Sequence, residues 1–198
     1  VSSFRKGSQD NNKTDRSARP RSILERGKSV ENTEKIANEI SETEINSWTM
    51  TFQSDAIHRG PDTPIFTEKL YDLSKSNDAR IRFYSGRITY NAKFFWDGKS
   101  SRAILDLGDV AETAKVKING QYSGGVCFKP YRLDVTDHLR KGENDLEIEV
   151  CNLWINRLVG DISDPNRPTW TNLPCVSTKT RLVKSGLIGP VKLKKESK

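Results

Sequence analysis

The amino-acid sequence predicts an all-β protein, an antiparallel β-sandwich or jelly roll. Three observations predict this fold. From residue 47 onward hydrophobic residues alternate with polar ones, turn-forming residues separate the alternating runs, and no run has a sustained helical period. Seven or more short strands without intervening helices, within about 150 residues, are typical of two antiparallel sheets packed face to face.

The residues before the sandwich are predicted to form a disordered or partly helical extension. The segment Val1–Lys28 has few large hydrophobic residues and a basic composition, whereas the segment Glu31–Asn46 is acidic. Ile36 and Ile40 stand four residues apart, which allows a short helix with one weak apolar stripe. We expect this extension to link the sandwich to something upstream in a longer polypeptide. The predicted boundaries are 1–46 for the linker, 47–194 for the sandwich and 195–198 for a tail.

The distribution of charge argues against a nucleic-acid partner. The net charge is +7 at pH 7, but the basic excess lies in the first 28 residues and in the segment Lys179–Lys198. The middle of the chain is close to neutral, so solvated ends explain the excess without a phosphate-binding surface. No apolar run is long enough to span a membrane, and no hydrophobic signal-peptide region is present. We therefore expect neither nucleic acid nor membrane as a partner.

Each strand is marked by its own period-two run. Trp48, Met50 and Phe52 share one face of the first run, and a longer run carries Ile88 to Trp96. Asn119 and Gly120 form the dipeptide that most strongly indicates a two-residue hairpin, so the runs on either side should pair antiparallel. The predicted strands lie within residues 48–52, 88–96, 103–107, 114–118, 121–128, 132–135 and 146–150.

The last of these strands leads into the stretch Asn152–Asp161, which mixes residues typical of a sugar site. The indole of Trp154 could lie against the C–H face of a pyranose, while Asn156, Arg157 and Asp161 offer directional hydrogen bonds to hydroxyl groups. The alternative is that Trp154 belongs to the core and that the polar side chains satisfy the backbone of the loop.

A second loop could contribute to the same surface. Lys129 and Tyr131 stand at the entrance to a strand, and they would join Trp154 only if both loops lie at the same end of the sandwich. The alternative is a packing corner at Tyr131 with a solvated Lys129. The segment Asp161–Pro174, which contains Trp170, is predicted to be a long irregular loop that could fold over this end.

Several motifs in order resemble a known family. The sequence is similar to the C-terminal galactose-binding-like β-sandwich of family 106 glycoside hydrolases, the α-L-rhamnosidases. Residues 105–150 also resemble the sugar-binding domain of family 2 glycosidases. The motifs that carry the resemblance are Ser85–Tyr90, Leu105–Val110, Val116–Gly120, Pro130–Thr136, Gly142–Val150, Asn152–Asp161 and Ser185–Val191.

The resemblance implies a non-catalytic, carbohydrate-binding-like accessory domain of a glycoside hydrolase. In that family the catalytic carboxylates lie in a barrel domain that precedes the sandwich, so a catalytic domain of the same polypeptide is an expected partner. A rhamnose- or galactose-containing glycan is the other expected partner, and the family suggests a periplasmic or extracellular location. A purely structural module that packs against the barrel without binding sugar is the alternative.

Other chemistry is weakly indicated. Glu147 and Glu149 are spaced about 6.6 Å apart along a strand, within the range of a glycosidase pair, but they alternate with core residues and should face solvent. No cofactor is expected, although the resemblance allows a structural calcium ion near Asp106, Asp109 and Glu112. The cysteines lack a C-x-x-C motif, and Cys127 and Cys151 could be buried free thiols or, in an oxidising compartment, one disulfide, with Cys175 left over.

Overall fold

The computed structural model describes residues 40–167 and 175–196, so predictions for residues 1–39 and for Trp170 lie outside the described residues. The strands are β1 Ile40–Glu44, β2 Trp48–Phe52, β3 Ile65–Thr67, β4 Arg87–Trp96, β5 Arg102–Asp106, β6 Asp109–Val110, β7 Thr113–Ile118, β8 Gln121–Val126, β9 Arg132–Asp134, β10 Gly142–Cys151, β11 Leu187–Gly189 and β12 Lys192–Glu196. Two short α-helices, α1 Ala79–Arg82 and α2 Ile155–Asp161, and two 3-10 turns, Leu73–Lys75 and Thr136–His138, complete the described elements.

The strands form two main sheets and one small one. The larger sheet has six strands in the order β3-β2-β4-β10-β7-β8, and the smaller has four in the order β1-β12-β5-β9. A two-stranded ribbon, β11-β6, completes the sandwich. All of these strand pairs are antiparallel. The predicted all-β antiparallel sandwich is confirmed.

The core lies between the inner faces of the two main sheets. In β4 and β10 every second residue is buried, so that Ile88, Tyr90 and Ile148 are fully enclosed. Leu105 of β5 and Leu193 of β12 close the same cluster from the smaller sheet. Burying one such aliphatic side chain contributes about 1.5–3 kcal/mol, which makes these alternating positions the main source of stability.

The predicted hairpin joins β7 to β8. Asn119 and Gly120 both have positive φ angles, 51° and 79°. Such angles are what a two-residue turn of the primed type requires, and they match the twist of the flanking strands. Beyond the turn the two strands pair antiparallel, with one irregularity between Val116 and Lys117.

One strand lies inside the segment expected to be a linker. β1 pairs antiparallel with β12 along the edge of the smaller sheet, so Ile40 belongs to a strand and not to a short helix. β12 in turn extends to Glu196, past the expected boundary at residue 194. The carboxylate of Glu42 lies 3.0 Å from Lys192 Nζ and 3.2 Å from Lys194 Nζ across this pairing. The acidic side chain in this segment, which was expected to be solvated, therefore pairs with lysines of β12.

The strand directions place five connections at one end of the six-stranded sheet. β8 and β10 both run antiparallel to β7, so both end where β7 begins. The pairings of β4 with β10 and β2 bring the start of β4 and the end of β2 to the same place. We call this edge the loop end. It carries the connection after β10 and the connection after β8, as the two-loop site requires.

The core position Leu105 gives a direct test of this packing. Leu105→Ala should lower the free energy of unfolding by about 2–5 kcal/mol, because it removes methyl groups from a side chain with no solvent exposure. Urea denaturation followed by far-UV circular dichroism would measure the loss. Ile104→Ala, at the half-buried neighbouring position on the opposite face of β5, is the matched control and should cost clearly less. Equal losses at the two positions would contradict the assignment of faces.

Candidate functional site

The stretch after β10 is anchored at the loop end by Asn152. Its backbone N–H donates to the carbonyl of Gly86 at 3.1 Å, and its side-chain oxygen accepts from the N–H of Gly186 at 2.8 Å. Two segments that are far from it in sequence are therefore tied to the end of β10. The chain then turns into α2, where the N–H of Leu158 donates to the carbonyl of Trp154 at 3.0 Å.

Asn156 points into the protein and holds a distant loop. Its side chain is buried, with Nδ2 donating to the carbonyl of Val183 at 2.8 Å and Oδ1 accepting from the N–H of Val183 at 2.9 Å. The side-chain amide of Asn156, which was predicted to reach a sugar, therefore hydrogen-bonds to the protein's own backbone. They fix the segment that leads into β11.

Arg157 and Asp161 form a buried ion pair one turn apart on α2. Arg157 Nε donates to Asp161 Oδ1 at 2.8 Å, and the exposed fractions of the two side chains are only 8% and 2%. Two charges this far from water are stable only when they satisfy each other, so the pair fixes the inner face of the helix. Arg157 also lines the wall of a neighbouring cleft.

Trp154, by contrast, is exposed. Nearly half of its surface, 45%, is accessible to solvent, and its ring centroid lies 5.9 Å from that of His58 in a tilted arrangement. Leu153 and Ile57, the chain neighbours of these two residues, are also exposed. We call Trp154 and His58 the aromatic platform. The structure therefore places Trp154 on the surface and not in the core.

His58 is held in place by Asp55. The Nδ1 atom of His58 lies 2.7 Å from both carboxylate oxygens of Asp55, and the backbone N–H of His58 donates to the same group at 2.9 Å. The backbone N–H of His58, followed by its ring, lowers the pKa of Asp55 from its ordinary value. The carboxylate therefore stays charged and fixes the orientation of the ring beside Trp154.

A cleft of about 540 Å³ lies beside the platform, between the loop after β2, α1 and α2. Its charged lining residues are Asp55, Arg59, Asp62, Arg80, Arg157 and Asp164. At its floor, α2 approaches the rest of the protein closely at Gly160, where a Cβ atom would stand 2.7 Å from the side chain of Phe83. A larger residue there would push the helix away and open the cleft.

Arg59 closes one side of the cleft. Its Nη1 donates to Asp164 Oδ2 at 2.7 Å and its Nη2 donates to the carbonyl of Asn166 at 3.2 Å. The pKa of Asp164 is lowered first by the backbone N–H of Asn166 and then by Arg59. The loop after β2 and the loop after α2 are therefore joined by a charged contact at the surface.

The second predicted loop is linked through Asp109 to the segment that Asn156 holds. The carboxylate of Asp109 lies 2.9 Å from Lys129 Nζ and 2.8 Å from Lys184 Nζ, and Lys184 directly follows the residue held by Asn156. Lys129 is exposed at the loop end, whereas the ring of Tyr131 is buried in the core and its carbonyl accepts from the N–H of Leu107. The two loops thus share one end of the sandwich.

Sequence reasoning did not find the contribution of the loop after β2. Neither His58 nor Arg59 belongs to a sequence motif that indicates a binding site. Arg59 and its partner Asp164 are separated by 105 residues. A contact between residues so far apart in sequence cannot be predicted from the spacing of residues along the chain. The only available signal was the concentration of His, Arg and Asp directly after a strand.

The two glutamates considered as a catalytic pair form ion pairs, and the side chains considered as calcium ligands do not form a metal-binding group in the described residues. Glu147 and Glu149 lie on the outer face of the larger sheet, where Lys117 and Lys115 face them at 2.8 Å and 3.8 Å. Within residues 40–167 and 175–196 no group of three His, Cys, Asp or Glu side chains could hold a metal ion. The three cysteines are exposed free thiols. Neither described helix is long and apolar enough to cross a membrane.

Removing the Asn156 clamp should loosen the segment before β11. Asn156→Ala leaves the N–H and the carbonyl of Val183 without these partners and should lower the free energy of unfolding by about 1–3 kcal/mol. Chemical denaturation, together with limited proteolysis around residue 183, would measure this effect. The exposed Asn166→Ala is the control, since only its backbone is used in the contact with Arg59. An unchanged stability and proteolysis pattern for Asn156→Ala would contradict the clamp.

The Asp109 bridge predicts a pH-dependent contribution to stability. Hydrogen bonds from Lys184 and then Lys129 lower the pKa of Asp109 in the folded protein. The stabilisation is therefore complete above the unfolded pKa of about 3.9 and is lost as the pH falls through the lower folded pKa. The stability difference between wild type and Asp109→Asn should shrink from neutral pH to about pH 2.

Urea midpoints across this pH range would measure the effect. Asp137→Asn, which removes an exposed carboxylate without an ion pair in the described part of the chain, is the control. A difference between wild type and Asp109→Asn that stays constant down to the acid limit would show that the bridge contributes nothing.

Comparison with known proteins assigns the chain to a family. Residues 64–181 match the family model described as "Glycosyl hydrolase 2 galactose-binding domain-like". A protein of Formosa agariphila that carries the name of a candidate β-glucuronidase is 32% identical over 176 residues, covering 74% of this chain and 15% of its own length.

Solved structures agree with the family match. The rhamnosidase from Novosphingobium sp. PP1Y superimposes with a TM-score of 0.72 at 36% identity, covering 91% of this chain and 16% of that enzyme. The β-D-glucuronidase of Dictyoglomus thermophilum superimposes with a TM-score of 0.57 at 20% identity, covering 80% of this chain and 28% of that enzyme, and shows a shared fold. The chain thus spans about a sixth of the length of the first two relatives. Since the family model covers more than half of the 198 residues, the chain belongs to the glycosyl hydrolase 2 galactose-binding domain-like family, as an accessory β-sandwich domain of the glycoside hydrolase type.

Proposed function

We propose that this domain is a non-catalytic carbohydrate-binding module of a glycoside hydrolase resembling α-L-rhamnosidases, and that sugar binds at the loop end against Trp154. The observation that carries the proposal is the exposure of Trp154 directly before α2, a helix whose inner face makes buried polar contacts. A flat aromatic ring held rigidly in water is the group that stacks on the C–H face of a sugar with little loss of entropy.

The neighbouring cleft supplies the polar half of such a site. Its volume of about 540 Å³ is in the range of small-molecule pockets, and its charged walls offer donors and acceptors for hydroxyl groups. The ion pairs that line it keep these groups oriented before a ligand arrives. Arg59 and Asp164 stand at its solvent-facing edge, where each side chain is about a third exposed.

The six predicted site residues divide into two roles in this proposal. Trp154 and Lys129 are exposed and contact the sugar. Asn156, Arg157 and Asp161 position Trp154 by fixing α2 and the segment before β11. Tyr131 anchors the second loop in the core and so positions Lys129.

Hydrolysis of the O-glycosidic bond is assigned to a catalytic domain of the same polypeptide. This domain spans only 15% and 16% of the relatives at 32% and 36% identity, so most of such an enzyme lies outside it. The likeness to the Novosphingobium rhamnosidase, at 36% identity, favours a rhamnose-containing glycan as the parent enzyme's substrate. Binding by this domain would raise the local concentration of that glycan near the catalytic domain.

A second candidate function is a structural one, in which the loop end packs against the catalytic domain and binds no sugar. The exposure of Leu153 and Ile57 beside Trp154 favours it, because contiguous exposed apolar residues often mark a protein interface. The two functions differ in their dependence on Leu153. A protein interface would use it as much as Trp154, whereas a sugar would need the aromatic ring.

Titration of the chain with L-rhamnose, galactose and rhamnogalacturonan oligosaccharides, followed by calorimetry, tests the proposal. We expect saturable binding that Trp154→Ala weakens about tenfold or more, since loss of a stacking residue typically costs over about 1 kcal/mol. Leu153→Ala, with a similarly exposed side chain, is the matched control and should bind as the wild type does. Absence of saturable binding to any of these sugars at millimolar concentration would reject sugar binding and favour the structural function.

A further inference from the structure

A single row of outward-facing side chains crosses the whole six-stranded sheet. Strand registers place the row members directly opposite one another from strand to strand. The members, in order from β3 to β8, are Phe66, Thr49, Asn91, Glu147, Lys117 and Tyr122. Because residues opposite each other in antiparallel strands point to the same face, all six project away from the core. We call this set the cross-sheet row.

The two ends of the row are aromatic and exposed. Phe66 and Tyr122 have 64% and 62% of their surface accessible to solvent. The hydroxyl of Tyr122 lies over Gly125, where a Cβ atom would stand 3.3 Å from it. The absence of a side chain at Gly125 therefore lets the ring extend along β8 with one face open. Five interstrand spacings of about 4.8 Å separate the two rings by about 24 Å.

The middle of the row is a polar groove. A groove of about 510 Å³ is lined by four of the six members, Thr49, Asn91, Lys117 and Glu147. Lys117 Nζ donates to Glu147 at 2.8 Å, so these two charges satisfy each other. Within the described residues the side chains of Asn91 and Thr49 make no hydrogen bond, which leaves an amide and a hydroxyl directed at solvent.

The charge of this face selects for a neutral ligand. The outward positions of β4, β7 and β10 carry four basic and four acidic side chains, namely Arg87, Lys93, Lys115, Lys117, Glu143, Asp145, Glu147 and Glu149. Ion pairs at 2.6 Å and 2.8 Å join Lys93 to Glu143 and Lys117 to Glu147. A balanced, paired surface gives no net attraction to a polyanion such as a nucleic acid.

We propose that the cross-sheet row is a second carbohydrate site, which binds one extended neutral glycan chain running across the strands. Phe66 and Tyr122 stack against sugar rings at the two ends, while Asn91 and Thr49 hydrogen-bond to hydroxyls between them. The floor is too polar for a protein interface core, which is depleted of charged residues. The site lies on the sheet face and shares no residue with the platform at the loop end, so it does not rest on sugar binding at Trp154.

Affinity electrophoresis of the full chain in gels containing galactomannan, xyloglucan or arabinan tests this site, with calorimetry on their di- to hexasaccharides. We expect hexasaccharides to bind at least tenfold more tightly than disaccharides, because only a long chain reaches both rings. Phe66→Ala and Tyr122→Ala should each weaken hexasaccharide binding about tenfold. Gly125→Val should act in the same direction, since its Cβ would stand 3.3 Å from both the Tyr122 hydroxyl and the backbone carbonyl of Ala114.

Phe95 provides a matched control. Phe95 has the same 64% exposure as Phe66 and lies on the same face of β4, four residues from Asn91 and outside the row. Phe95→Ala should therefore bind as the wild type does. Equal weakening by Phe95→Ala, affinity independent of chain length, tighter binding of polygalacturonate than of the neutral chains, or no binding to any of them would each overturn the proposal.

The variant Trp154→Ala separates this proposal from the one for the loop end. If the row is a site of its own, Trp154→Ala retains the length-dependent binding that Phe66→Ala and Tyr122→Ala weaken. If Trp154→Ala abolishes all binding and the row variants have no effect, the cross-sheet site is rejected while the platform at the loop end stands.

Discussion

Ten consecutive residues of β4 pair with ten of β10, from Trp96 opposite Gly142 to Arg87 opposite Cys151, and most of the domain depends on this pairing. It occupies the centre of the larger sheet and sets which residues face the core. A slip of one residue would turn Ile148 and its neighbours toward solvent and bring the glutamates inside. The same register brings Asn152 beside Gly86, so the position of α2 follows from it.

Polar groups inside the protein then give α2 its fixed place. A helix of seven residues is barely stable by itself, because its few hydrogen bonds do not offset the free-energy cost of nucleation. The Asn156 amide anchors it to the segment before β11, and the buried Arg157–Asp161 ion pair stabilises it from within. Such buried contacts add less to overall stability than an apolar core does, but they are directional. Their effect is to fix the backbone of α2, next to the exposed Trp154.

The two proposed surfaces have similar side-chain chemistry, but their geometries would suit different parts of a glycan. The platform at the loop end combines one indole ring with a compact, charged cleft, which suits a terminal sugar that can be approached from one side. The cross-sheet row separates its two aromatic rings by the full width of the sheet, which suits the interior of a chain. In a domain of a glycoside hydrolase, the two would hold the end and the body of a polymer respectively.

The sequence by itself determined the alternation of buried and exposed residues, and with it the fold class, most strands and the Asn119–Gly120 hairpin. These features are local, since a side chain's face in a strand depends only on its neighbours along the chain. The same alternation correctly placed Glu147 and Glu149 on the outer face. The two-residue period of a strand therefore predicts where most strands lie and which of their side chains face the core.

Only the tertiary structure decided what those faces meet. The strand character of Ile40–Glu44 depends on β12, which lies about 150 residues away and supplies the lysines that neutralise it. The burial of Asn156 depends on Val183, the setting of Trp154 depends on His58, and the row from Phe66 to Tyr122 depends on five strand registers. Contacts of this kind join segments that are far apart in the sequence, so no periodic pattern of residues predicts them. They are fixed by the packing of the whole domain and not by any local pattern.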